Sequence, residues 1–237
     1  MKRTFYIVFV SCCCLISQQI ASAQSAIVNA PSTDVVAAKK LYVEMDFITN
    51  YAWQRDDAKF ANYLPRAVVG VGHNIEVGAN VSYTRVPGGG EPVELQPNVK
   101  WQFYSDEGKG LAASVGCVWF IPVTHRAGTD TFAQCYSLAS KQVSGDYGPR
   151  LTGGAYTLLG ASKGQGTRTG AIVAYEQPIA RKLSFIVDWQ SGHNRFGFLS
   201  PAILVTTPHN GSLSAGYAVA NKGHENNALF LYFGQQF

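Results

Sequence analysis

From Leu41 onward apolar and polar residues alternate one by one. Leu41, Val43, Met45, Phe47, Tyr51 and Trp53 fall on one row, and Tyr42, Glu44, Asp46, Asn50 and Gln54 on the other. Successive side chains of a strand point to opposite faces, so the stretch predicts a strand with one apolar and one polar face. A helix would put Glu44 and Asp46 among the apolar residues and is excluded on that ground. The pattern then repeats between turn signals. Residues 60–72 carry Ala67, Val69 and Val71 in phase and close on Gly72-His73-Asn74. Residues 75–86 set Ile75, Val77, Ala79, Val81 and Tyr83 against Glu76, Gly78, Asn80, Ser82 and Thr84, before Pro87-Gly88-Gly89-Gly90 turns the chain. Residues 93–104 set Val93, Leu95, Val99, Trp101 and Phe103 against Glu94, Gln96, Asn98, Lys100 and Gln102. Pro97 is a blemish in the apolar row, since proline cannot donate to a ladder.

Further strands are predicted at 110–121, 131–143, 150–160, 168–177, 181–190, 196–206, 211–220 and 227–237, with Pro178-Ile179-Ala180 among the turns. The total is about twelve, or ten if residues 131–160 form a loop excursion, because 131–143 alternates least cleanly. Segments of this length suit a tilted strand crossing a bilayer, which needs about nine to eleven residues. The fold class expected is all-β, a closed antiparallel transmembrane β-barrel over residues 41–237. With the last strand ending in the periplasm, the outward aromatics sort into two levels. Tyr51, Trp53, Tyr83, Trp119 and Trp189 fall near the far ends of ascending strands. Trp101, Phe103, Tyr175, Phe233 and Phe237 fall near the periplasmic ends of descending ones. Aromatics gather in this way at the two membrane interfaces, and a soluble sandwich has no cause to sort them.

Composition agrees. Charged residues are 14% of the chain, against roughly 25% in soluble domains, yet no stretch past the N-terminus reaches the ~18 apolar residues of a membrane helix. Residues 1–23 read as a cleaved signal peptide: Lys2 and Arg3, an apolar core from Phe5 to Ile16, and Ala21-Ser22-Ala23 as the cleavage site. Cys12, Cys13 and Cys14 leave with it. Residues 24–40 are weakly patterned and are expected to form a periplasmic N-terminal segment. Removing Lys2 and Arg3 leaves 17 basic and 15 acidic residues, a net +2. That is too little to call for nucleic acid as a partner.

With apolar rows facing lipid, the polar rows face the lumen. They hold Glu44, Asp46, Glu76, Glu94, Glu176 and Asp188 beside Arg66, Lys100 and Arg150. On the lipid face a charge costs about 2–4 kcal/mol near mid-membrane. These residues are therefore either a mutually neutralising packed lining or the wall of a narrow path that biases which solutes pass. Two other functions stay open. A lipid hydrolase would need a serine beside a histidine base, from His125, His193 or His224 with Ser191 or Ser200, or His209 with Ser212. A structural barrel would need neither. The scattered histidines give no metal motif, the glycine runs are turns and not phosphate loops, and no cofactor is expected. Cys117 shares the outward row of Val115 and Trp119, whereas Cys135 is out of phase with Phe132, Tyr136 and Leu138 and is expected to face inward. Bridged cysteines must share a face, so a disulfide requires that phase to be wrong.

The final residues, Leu229-Phe230-Leu231-Tyr232-Phe233-Gly234-Gln235-Gln236-Phe237, resemble the C-terminal strand of bacterial outer-membrane β-barrels, with Gln235 where that pattern has an apolar residue. The resemblance implies contact with outer-membrane lipid and recognition by barrel-assembly machinery through the strand that ends at Phe237. Tyr147-Gly148-Pro149-Arg150-Leu151-Thr152-Gly153-Gly154, Tyr175-Glu176-Gln177-Pro178 and Ala228 to Gly234 look like motifs of uncharacterised transporter-like barrels of the phenol meta-pathway type. That likeness implies passive passage of small solutes, small aromatic or hydrophobic compounds among them, and brings no functional residue with it.

Overall fold

The computed structural model describes residues 26–51, 59–124, 130–145 and 147–237. The signal-peptide reading of 1–23, and the positions of Trp53 and His125, lie outside the described residues. Among the described residues twelve strands run in order: β1 (Leu41–Thr49), β2 (Ala61–Gly72), β3 (Ile75–Arg85), β4 (Val93–Asp106), β5 (Leu111–Pro122), β6 (Phe132–Gln142), β7 (Arg150–Leu159), β8 (Thr169–Ala180), β9 (Leu183–Gln190), β10 (Phe198–Thr207), β11 (Gly211–Ala220) and β12 (Ala228–Gln236). Each pairs antiparallel with its sequence neighbours, and β1 pairs with β12 to close the barrel. Closure leaves no edge strand with unpaired backbone groups.

The two ends differ. At the lower end, where Leu41 and Phe237 exchange backbone hydrogen bonds, β2 and β3 are joined by residues 73–74 alone, and β8 and β9 by 181–182. His73 and Asn74 both have positive φ, 52° and 57°, the twist a two-residue hairpin needs. At the upper end the connections are longer, running from 50–60, 86–92 and 123–131 to 160–168, 191–197 and 221–227.

Residues 131–160 form β6 and β7, so the count is twelve and not ten. Two local expectations fail. Pro178, Ile179 and Ala180 belong to β8, and the chain turns after them. β1 stops at Thr49, where the Asn50 side chain takes over by accepting from the Phe60 backbone N–H at 2.7 Å, so Tyr51 lies in a turn and not in the outward row of β1.

The expected phase of β6 also fails. Phe132, Gln134, Tyr136, Leu138 and Ser140 are all buried inside, while Ser137 and Ala139 face out. Phe132, Tyr136 and Leu138 pack with Phe120, Tyr156, Leu158 and Ile172 in one apolar cluster. Here the inner face carries the large apolar side chains and the outer face the small ones, which misleads a reading by hydrophobicity. Cys135 therefore faces out opposite Cys117, and the two form a disulfide across β5 and β6.

Candidate functional site: a lumen threaded by residues 26–38

The barrel encloses the acids and bases of the polar rows. Asp46 and Asp188 are 0% and 1% exposed, and Glu44, Glu76 and Lys100 are also buried. Arg66, Glu94, Arg150 and Glu176 are mostly covered. The barrel brings them together as pairs. Arg66 lies 2.6 Å from Asp46 and 3.6 Å from Glu44, and the Tyr42 hydroxyl donates to Glu44 at 2.6 Å. Lys100 lies 3.0 Å from Glu76 on the neighbouring strand. Arg150 lies 3.7 Å from Glu176, directly opposite on β8.

Residues 26–36, expected outside as a periplasmic lead-in, lie inside the barrel, and Ala37 and Ala38 are exposed at its lower rim. Gly70 of β2 admits the segment there. Its carbonyl accepts from the Lys39 N–H and its N–H donates to the Lys40 carbonyl, and a Cβ there would stand 2.2 Å from the carbonyl oxygens of Val36 and Ala37. Going inward, the Val36 N–H donates to Glu76 at 2.7 Å. Asp34 takes a two-pronged contact from Arg150, at 2.6 and 2.8 Å. The Thr33 hydroxyl meets that of Ser140 at 2.7 Å, and its carbonyl accepts from Gln102.

The innermost described part of the segment is a tight turn closed by the Ile27 N–H on the Ala30 carbonyl. There three successive backbone N–H groups, of Val28, Asn29 and Ala30, donate to one oxygen of Asp188 at 2.9, 2.8 and 2.7 Å. Consecutive amides turned to one point form an anion nest, and bonds to a charged acceptor contribute roughly 1.5–3 kcal/mol each. Asn29 also bonds Ser200, Tyr232 and Gln190. Ile27 and Val28 pack on Ile186, Ala202, Phe230 and Tyr232.

A second crossing narrows the upper mouth. Arg195, in the 191–197 connection, makes a two-pronged ion pair with Glu94 of β4 at 2.8 and 2.9 Å. β4 and β10 stand six strands apart in a ring of twelve, on opposite walls. The guanidinium also lies over Phe120, 4.9 Å from the ring centre, and near Phe132 and Phe196. Arg195 and Glu94 line a cavity of about 200 Å³ together with Ser82, Thr84, Asp130 and Phe132. Sequence reading found Glu94 but missed Arg195, which sits in a loop outside the strand pattern.

On the outer wall, Trp101 and Phe103 are half-exposed near the lower end of β4, and Phe233 and Phe237 lie at the lower end of β12. Tyr175 is also on the lower half, on β8. Trp119, Trp189 and Tyr83 stand near the upper ends of β5, β9 and β3, and Tyr51 is exposed just above β1. For the hydrolase alternative, Ser200 is buried and accepts from Asn29, and the Ser191 hydroxyl accepts from the Ala171 N–H at 2.7 Å.

Closed, twelve-stranded, apolar outside and charged within, the fold is that of outer-membrane barrels. The chain is similar to the crystal structure of an outer-membrane channel from Pseudomonas putida F1, at TM-score 0.53 and 11% identity, over 86% of this chain and 97% of that one. It is also similar to the translocator domain of the autotransporter NalP from Neisseria meningitidis, at TM-score 0.45 and 11% identity, over 86% of this chain and 90% of that one. No protein-family model and no curated protein matches the chain.

Proposed function

We propose that the protein is an outer-membrane channel for passive passage of small solutes, held shut by residues 26–38. One observation carries this reading: the wall alone leaves a bore wide enough for a folded-back stretch of polypeptide, attached mainly by hydrogen bonds and ion pairs. A barrel with a purely structural role would fill its interior with wall side chains, as eight-stranded barrels do. The apolar outer wall supports a membrane position, since an exposed apolar belt of this extent calls for lipid. The outward aromatics at its two levels serve as interface anchors, with the lower end in the periplasm. The apolar cluster of Phe120, Phe132, Tyr136 and Tyr156 in the upper lumen suits small aromatic compounds among the solutes. Transport here is passive and needs no enzymatic step or cofactor.

The test is single-channel recording in planar bilayers. Val28→Pro with Ala30→Pro removes two of the three N–H donors to Asp188 and leaves the wall untouched. Two bonds of roughly 1.5–3 kcal/mol each correspond to a rise in open probability of about a hundredfold or more. The intact chain is expected to be closed most of the time and the double variant mostly open. Equal, negligible conductance from both, with each shown to be folded, would sink the channel reading.

A further inference from the structure

Among the described residues six acids face the lumen, Glu44, Asp46, Glu76, Glu94, Glu176 and Asp188, against the four bases Arg66, Lys100, Arg150 and Arg195, and residues 26–38 supply three backbone donors to one of those acids, Asp188. On the described wall Glu76 has Lys100, Glu176 has Arg150, and Glu94 has Arg195. Glu44 and Asp46 share the single guanidinium of Arg66. Asp188 is met by the three backbone N–H groups of the segment. Among the described residues its second oxygen, buried, has no hydrogen-bond partner within bonding geometry, and neither has Asp46 Oδ1.

Withdrawing the segment takes the three donors from Asp188. It also takes Asp34 from Arg150, which then balances Glu176 alone. Two negative charges are left over, one at Asp188 and one shared by Glu44 and Asp46. Both sites face Tyr232, which is opposite Asp46 on the neighbouring strand and is tied to Asp188 through Asn29. They therefore border one stretch of the lumen, the stretch the segment vacates.

We infer that the open lumen passes small cations in preference to anions, with Asp188 and the Glu44–Asp46 pair as the discriminating charges. A narrow bore walled by low-dielectric protein focuses such a field along its axis. The segment's N–H groups, the positive ends of peptide dipoles, occupy the place a cation takes when the path is open. The inference rests on the channel reading above, and its failure can be told apart from the failure of that reading.

The experiment is the reversal potential of the full-length Val28→Pro, Ala30→Pro channel across a KCl gradient. Low salt sharpens it, because screening sets in over about 10 Å at 0.1 M. The potential is expected on the potassium side and should move toward zero when Asp188→Asn is added. It should move further with Asp46→Asn, while Glu225→Gln, on an upper connection, leaves it in place. A conducting channel that prefers chloride, or one indifferent to Asp188→Asn, overturns the inference and leaves the channel standing. Absence of conductance from folded protein overturns the channel reading and this inference with it.

Discussion

Single residues in this barrel have unequal weight. Lys100 and Glu76 are 2% and 1% exposed and lie 3.0 Å apart. Taking one member from a buried ion pair costs about 3–5 kcal/mol. Glu76→Gln also weakens the acceptor of the Val36 N–H. It should lower the temperature at which the folded form is lost in detergent, read by heat-dependent gel mobility, and should raise conductance as well. Arg195 sits in a different setting, half-exposed in a loop. Arg195→Ala should leave that temperature nearly unchanged, since partly exposed ion pairs contribute only about 0–1 kcal/mol. In the segment-released channel it should increase the current by clearing the upper mouth. A large loss of folding stability from Arg195→Ala would mean that the crossing holds the barrel together and does not act as a latch.

At the scale of elements, Gly70 decides whether the N-terminal segment can enter. The Cβ of Gly70→Val would meet two backbone carbonyls, which cannot yield as a flexible side chain would. The variant should assemble its barrel and expose residues 26–36 to protease at the lower end, whereas the unaltered protein should resist cleavage there. The disulfide across β5 and β6 closes a separation of 18 residues, worth about 2–4 kcal/mol in bridges of this size. Reduction should therefore lower the unfolding temperature in detergent without opening the lumen. Most strands were legible from sequence because a wall between an apolar exterior and a charged interior imposes period two. The alternation failed in β6, where Phe132, Tyr136 and Leu138 face a partly apolar lumen and the outer row is small. The inward acids were legible one by one, but their pairings were not, since Arg66 and Asp46 meet only through strand register. The placement of residues 26–38 was illegible: Val28 and Asp188 are 160 positions apart, and no local pattern records that contact.

At the scale of the whole molecule, the barrel is a closed ring crossed in two places by contacts of different make. The lower one is a stretch of its own chain, held at Glu76, Arg150, Ser140 and Asp188. The upper one is an ion pair reaching between opposite walls. Neither crossing belongs to the strand ladders, so either can move while the ring stays whole. The central claim is that the segment is the gate, and a reversible tether tests it most directly. The hydroxyls of Thr33 and Ser140 are 2.7 Å apart, so Thr33→Cys with Ser140→Cys can bridge segment to wall when oxidised. The background is Val28→Pro, Ala30→Pro with Cys117→Ser and Cys135→Ser, which leaves the new pair as the bridge under test. The account predicts a silent channel when oxidised and step openings within the same recording once reductant is added. Equal conductance in the two states, with the bridge confirmed by mass, would contradict it.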